Sequence, residues 1–225
     1  MSGKLFIVAT PIGNLKDITF RAIETLKEVD LIACEDTRHT RKLLSHYNID
    51  KPTTSYFEHN QVKKGEYLMR LLKEGKNIAL VSDSGTPGIS DPGYKITRLA
   101  IDNDVPITVI PGPCALVTAL VSSGMPTDSF VFQGFLSNKK ARRRKQLTVL
   151  KNDTRTIILY ESPHRVLKCL EDILDILGDR EIAVAREITK VFEETLRLKT
   201  SRAIQHFTKN SPRGEFVILI KGKTA

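Results

Sequence analysis

The chain has no tryptophan and only three cysteines among its 225 residues. Cys34, Cys114 and Cys169 are odd in number and widely separated, which excludes a disulfide framework and a zinc spacing and fits a reducing compartment. Apolar runs such as Cys114–Val121 fall short of the roughly 18 residues that span a bilayer, so no membrane association is expected. Met1–Lys4 leads into a strand pattern without the apolar core of a signal peptide, and a cytoplasmic location is the expectation. There is no G-x-x-x-x-G-K-[ST] and no G-x-G-x-x-G after the first strand, which argues against P-loop and dinucleotide sites. His39, His46, His59, His164 and His206 lack metal-ligand spacing, so no metal is expected. Ser82 and Ser84 lack the nucleophile-elbow pattern, and Cys34, beside Glu35 and Asp36, reads as a core cysteine.

What the chain has in excess is positive charge. Lysine and arginine number 35 against 26 acidic residues, a net charge of +9. That balance suits a polyanionic partner, because cations near phosphates release counterions. The charge is also concentrated: all but Ala141 of Lys139–Lys145 is cationic. On a helix such residues repel one another at i, i+4, a cost that an RNA groove would offset. The apolar fraction of 40% is ordinary for a globular chain, and the length allows one large domain or two small ones.

The stretch Val81–Gly93 organises the rest. It carries three glycines, two prolines and two aspartates between an apolar strand, Asn77–Val81, and a helical pattern from Tyr94. Strand-to-helix loops usually need only about 2–6 residues. At the carboxyl end of a strand in an open α/β sheet, a rigid glycine-rich loop reads as a binding floor. Further apolar strands are expected at Lys4–Thr10, Leu31–Cys34, Thr53–Phe57 and Ile107–Ile110, each followed by a polar loop and a helix. Asp17 or Thr19 should cap the first of those helices. This alternation predicts a parallel, doubly wound sheet over residues 1–125, with the loops 11–14, 35–38, 58–60, 82–93 and 111–115 gathered at one edge. Met125–Ser129 reads as a linker. Residues 126–225 then read as a second α/β domain, with strands at Phe130–Phe135, Thr156–Tyr160, Ile182–Ala185 and Glu215–Ile220 and helices over 138–150 and 166–177. The expected fold class is therefore α/β, two lobes with a cleft between them.

The loop residues form an ordered set: Pro11-x-Gly13-Asn14, Cys34-Glu35-Asp36-Thr37-Arg38, Ser55-Tyr56-x-Glu58-His59-Asn60, the 82–93 loop, Pro111-Gly112-Pro113, Glu161-Ser162-Pro163-His164-Arg165 and Ala185-Arg186-Glu187. Together they resemble the tetrapyrrole-methylase superfamily of S-adenosylmethionine (SAM)-dependent methyltransferases, and more closely its ribosomal-RNA branch; the resemblance covers nearly the whole chain. Ser84 departs from the alanine common there. The resemblance implies SAM held between the two domains of a homodimer. It also implies methyl transfer to the ribose 2′-hydroxyl of a cytidine in the decoding region of small-subunit (16S) rRNA, free or in the assembled subunit. By the same resemblance the cofactor should meet Pro11, Asp83, Gly85, Thr86, Pro113, Cys114, Ala115 and Tyr160. Candidate bases are Glu35, Asp36, Asp91, Glu161 and Glu187, with Lys190 as an outsider; the residues alone do not choose among them. Both 35–38 and 161–165 could equally be capped helix starts. Rigid guanidinium forks suit phosphates, so Arg38, Arg165 and Arg186 are expected on rRNA, extended by Lys139, Lys140, Arg142, Arg143 and Arg144. A tetrapyrrole substrate and a non-catalytic RNA-binding role are the competing readings, and the charge and the acidic loops weigh against them respectively.

Overall fold

A computed structural model of the protein describes residues 2–224. It divides after Cys114 into two compact units. The first contains strands β1 (Leu5–Val8), β2 (Leu31–Cys34), β3 (Thr53–Ser55), β4 (Ile78–Val81) and β5 (Ile107–Ile110). Between them run helices α1 (Phe20–Glu28), α2 (Thr37–His46), α3 (Gln61–Lys73) and α4 (Tyr94–Asp102). The strands form one sheet in the order β3-β2-β4-β1-β5, and every pairing is parallel.

The short apolar strands are covered on both faces, which is why they read as unbroken hydrophobic runs. Leu5, Ile7, Ile78 and Leu80 pack under Leu68 and Leu72 of α3 and Ile96 of α4. Val8, Ile32, Ala79 and Val81, at the alternate positions, pack under Ala22 and Leu26 of α1 and Leu44 of α2. Thr19 is the cap of α1, its hydroxyl accepting from the Ala22 amide at 3.1 Å. Phe20, the first residue of α1, is 87% exposed. The register pairs Val8 with Ile110 and Cys34 with Val81 and Ser55, so the carboxyl ends of all the strands lie level at one edge.

The second unit begins with α5 (Ala115–Ser123), then β6 (Phe130–Phe135), α6 (Lys140–Leu150), β7 (Thr156–Glu161), α7 (Val166–Leu177), β8 (Glu181–Arg186), β9 (Glu194–Lys199), α8 (Thr200–Lys209) and β10 (Phe216–Ile220). Its sheet has the order β6-β7-β10-β8-β9, with β6 parallel to β7 and the remaining pairs antiparallel. Helices α6, α7 and α8 bury Leu147, Leu170, Ile173 and Phe207 against Ile157, Val184 and Ile218. Helix α5 packs on β8, β9 and β10, and Arg197 of β9 holds its end by donating to the carbonyls of Ser123 (3.1 Å) and Ser122. The sequence reading placed the divide at 125; the structure packs α5 with the second sheet. Strand β9 and helix α8 had no counterpart in that reading. Their burial comes from a sheet edge and from α7, neither of which local pattern reveals.

Candidate active site

The level strand ends of the first unit are laced together by their own loops. Thr10, just past β1, exchanges backbone hydrogen bonds with Gly85: its amide donates to the Gly85 carbonyl at 2.9 Å and its carbonyl accepts from the Gly85 amide at 3.1 Å. The Thr10 hydroxyl donates to the Ser82 carbonyl at 3.1 Å, and the Thr86 hydroxyl donates to the Pro113 carbonyl at 3.1 Å. The loops after β4, β1 and β5, adjacent in the sheet, are thereby fixed as one platform. Glycine is required at two of its points. Gly85 has φ +83°, and a Cβ there would lie 3.2 Å from Ile12 Cγ2. A Cβ on Gly112 would lie 2.9 Å from the Ala9 Cβ, so only glycine lets the β5 exit pass the β1 exit this closely. Non-glycine Ser90 also has positive φ, 68°. Such backbone is held only where the surroundings over-determine it.

Beside the platform lies a negative field. The Asp36 amide donates to Asp83 Oδ1 at 3.1 Å, tying the start of α2 to the β4 loop. Asp36 caps α2 by accepting from the Arg38 amide at 2.8 Å, and it meets the Arg38 side chain at 3.1 and 2.8 Å. Those hydrogen bonds hold its carboxyl well below the usual range. Glu35 is half-buried and has the opposite environment: burial, then the charges of Asp83, Asp36 and Glu58, push its pKa up. Cys34 is fully buried and its thiol is pushed up, chiefly by burial with Asp83 and Asp36 adding to it, as a core cysteine should be.

In the second unit, β7 and β8 end beside the start of β10: Phe216 pairs with both Glu161 and Arg186. Tyr160 is packed edge-on by Phe132 and Phe135, with ring centres at 4.9 and 5.6 Å. Its hydroxyl accepts from the Leu116 amide at 3.0 Å, in the first turn of α5. Glu161 is 1% exposed and fully engaged. It accepts from the Ser162 amide at 2.8 Å and pairs with Arg165, Nε to Oε1, at 3.1 Å. Arg165 also donates to the Leu136 carbonyl. Glu187, at φ 50°, pairs with Lys190 at 2.9 Å. Burial opposes the Lys190 charge, but hydrogen bonds and charge from Glu187 and Glu215 outweigh it and raise the pKa.

The sequence profile described as Tetrapyrrole (Corrin/Porphyrin) Methylases matches residues 4–203. The chain belongs to the tetrapyrrole methylase family. A protein of Synechocystis sp. named ribosomal RNA small subunit methyltransferase I is 52% identical, with 99% of this chain and 80% of that protein covered. Its namesake in Thermotoga maritima is 51% identical, over 98% and 99% respectively. Among solved structures, a uroporphyrin-III-C-methyltransferase from Thermus thermophilus aligns with a TM-score of 0.69 at 17% identity, covering 96% of this chain and 94% of that one. A cobalt precorrin-4 methyltransferase aligns with a TM-score of 0.72 at 18% identity, covering 97% and 94%. These likenesses show that the two α/β sheets here are those of the tetrapyrrole methylase fold.

Seen as a tetrapyrrole methylase, the chain brings Pro11, Asp83, Gly85, Thr86 and Pro113 to one strand-end edge in its first unit, with Cys114 next in sequence. Ala115 opens α5, the helix whose next residue binds Tyr160. Asp91 sits half-buried in the 82–93 loop. Thr10 and Gly112 belong to the same laced edge; a polar residue ending an apolar run and a glycine between prolines are the sequence signals that mark them. The cations expected on phosphates are divided by the structure. Lys139, Lys140 and Arg142 are exposed. Arg143 is not: it is 5% exposed and pairs with buried Asp172 at 2.7 Å. Arg144 pairs with Asp172 at 2.9 Å and also with Asp175. The basic run is thus used in part to fasten α6 to α7, a gain for the fold that sequence spacing did not reveal. Arg165 is likewise turned inward, onto Glu161. Arg186 pairs with Glu194 at 2.6 Å, whereas Arg38 keeps a side chain 87% exposed while it holds Asp36.

Proposed function

We propose that the protein is a SAM-dependent methyltransferase that acts on small-subunit ribosomal RNA, at the ribose 2′-hydroxyl of a cytidine in the decoding region. The observation that carries this reading is the laced platform of the β1, β4 and β5 loops beside Asp83, in a chain about half identical to relatives named for that RNA. The site's chemistry fits the cofactor. SAM carries a sulfonium and an ammonium, and Glu35, Asp36 and Asp83 supply a negative field for them. Gly85 and Gly112 let the loops that would carry the cofactor pack together, since a Cβ at either would press on Ile12 or Ala9. Pro11, Asp83, Gly85, Thr86, Pro113 and Cys114 in the first unit, and Ala115 and Tyr160 in the second, are the residues that would hold it.

When bound, SAM supplies an activated methyl group. The protein's task is to align the ribose oxygen with it, exclude water and accept the hydroxyl proton as the oxygen–carbon bond forms and the sulfur–carbon bond breaks. Among Glu35, Asp36, Glu161 and Glu187, Glu35 is the best suited base, with half-buried Asp91 as the other candidate. Asp36 is held ionised by Arg38, Glu161 is closed off by Arg165 and Ser162, and Glu187 is paired with Lys190. A half-buried carboxylate with a raised pKa is the better proton acceptor near neutrality. Lys139, Lys140 and Arg142 supply exposed cations for backbone phosphates. A homodimer and a cytoplasmic location belong to the same reading, as does the division of labour in which the N-terminal unit carries the cofactor loops.

The test is to incubate the protein with labelled SAM and either small subunits or naked rRNA lacking the modification, then map the label. Label on one 2′-oxygen, lost in Asp83→Ala, is the expected result. SAM binding without transfer to RNA would redirect the search to a small substrate such as a tetrapyrrole. Absence of SAM binding would end the enzyme reading.

A further inference from the structure

The second unit's sheet has a far end, away from Glu161 and Arg186, that the proposed reaction does not use. Ile220 closes β10 opposite Ile157 and Ile182, so residues 221–224 emerge beside the starts of β7 and β8. At ~3.3 Å per residue, about 13 Å of strand separates Ile157 from Glu161. A cavity of about 430 Å³ at this end is lined by the cations Lys151, Arg180, Lys199, Lys221 and Lys223 and the carboxylates Asp179 and Glu181.

Both carboxylates already have partners. Asp179 accepts from the Ser201 amide at 2.8 Å and from its hydroxyl at 2.9 Å, in the first turn of α8. Glu181 accepts from Lys221 Nζ at 2.7 Å. The other cations are not matched in this way. Arg180 donates to the carbonyls of Leu177 (3.1 Å), Lys221 (3.3 Å) and Lys151, which aim its guanidinium without neutralising it. Burial in that position pulls its pKa down, and the nearby Asp153 carboxylate, which is itself paired with Arg155 at 2.6 Å, opposes the shift only in part. Lys223 Nζ donates to the neutral Asn152 side chain at 3.0 Å. Lys151 and Lys199 are exposed and form no close ion pair among the described residues, although the Lys199 charge also acts on Asp179 and Glu181. Clamping the end of α7 needs Arg180 alone; it does not need four lysines around it. A concave surface with this surplus concentrates anions. Among the described residues lining it there is no aromatic ring on which a nucleobase could stack, so the match is to phosphate itself.

We propose that this cavity is a second phosphate-binding site for the substrate RNA, taking backbone phosphates of a segment remote from the methylated ribose. The proposal rests on the RNA methyltransferase reading above. Its test uses the intact protein and the triple variant Lys151→Gln, Lys199→Gln, Lys223→Gln, three exposed positions. Binding of a small-subunit rRNA fragment is followed as a function of salt, with methyl transfer and SAM binding measured on the same preparations. Each phosphate contact contributes about 0.7–0.9 to the slope of log K against log salt. The variant should lose about 2 from that slope and bind roughly tenfold or more weakly, with SAM affinity and thermal transition unchanged. Wild-type transfer to RNA alongside an unchanged slope in the variant would overturn the cavity proposal alone. Failure of the wild-type protein to transfer methyl to RNA would overturn both readings. A titration with inorganic phosphate followed by phosphorus NMR separates the remaining source. Saturable phosphate binding lost in the variant, with RNA affinity unmoved, would mean a small phosphorylated ligand and would overturn the RNA assignment.

Discussion

Arg143 separates structural from RNA-binding charge within the basic helix, and Arg143→Met tests the distinction. Its guanidinium meets Asp172 Oδ2 at 2.7 Å through both Nε and a terminal nitrogen, and a third donor reaches the carbonyls of Ser137 and Asn138 at 3.5 and 3.4 Å. Both partners are almost fully buried. Removing one member of such a pair typically costs about 3–5 kcal/mol, since the carboxylate is left without compensation. Arg144 remains on Asp172 Oδ1 at 2.9 Å, so the lower end, about 3 kcal/mol, is expected. In urea, with a slope of about 2 kcal/mol per molar, the second unit's transition should move down by ~1.5 M. Adding Asp172→Leu should restore much of the loss, because the uncompensated carboxylate is gone. Below the transition, Arg143→Met should leave the salt slope of RNA binding untouched, while exposed Arg142→Gln should lower it by about 0.7–0.9. If Arg143→Met unfolds within about 0.5 kcal/mol of wild type, the range of ordinary surface substitutions, and also flattens the salt slope, the structural assignment is wrong.

Two further outcomes follow from the first unit. Gly85→Ala forces a left-handed alanine, at about 1–2 kcal/mol, and sets its methyl against Ile12. We expect a comparable stability loss and roughly tenfold weaker SAM binding by calorimetry; unchanged SAM affinity would remove the platform from the cofactor site. For Glu35→Gln the sign follows from the raised pKa. Below the ordinary glutamate pKa, Glu35 is protonated in both folded and unfolded chains and costs nothing; as pH rises through the raised value, the buried charge destabilises the fold. The variant should therefore be more stable than wild type in mildly alkaline buffer and equal to it in acid, by urea midpoints, while losing methyl transfer. Full transfer by the variant would exclude Glu35 as the base.

Much of the first unit was legible from residues alone. Its strands are buried on both faces, so they are continuous apolar runs, and glycine, proline and aspartate punctuate their ends. Strand–helix alternation then implies parallel pairing, and parallel pairing puts the loops after Pro11, Glu35, Asp83 and Pro111 at one edge whatever the strand order. The sequence by itself therefore determined the fold class and the strand-end edge at which these loops gather. The tertiary structure decided what each charge does there. Arg143, Arg165 and Glu161 look like surface residues in a string of letters, because burial of a charge is possible only where another element brings its partner. Asp172 lies 29 positions from Arg143 in sequence. The structure likewise decided that α5 packs with the second sheet, that β9 closes its edge, and that Arg180 and its lysines surround a cavity. Those outcomes depend on contacts between distant segments, and local pattern contains no term for them.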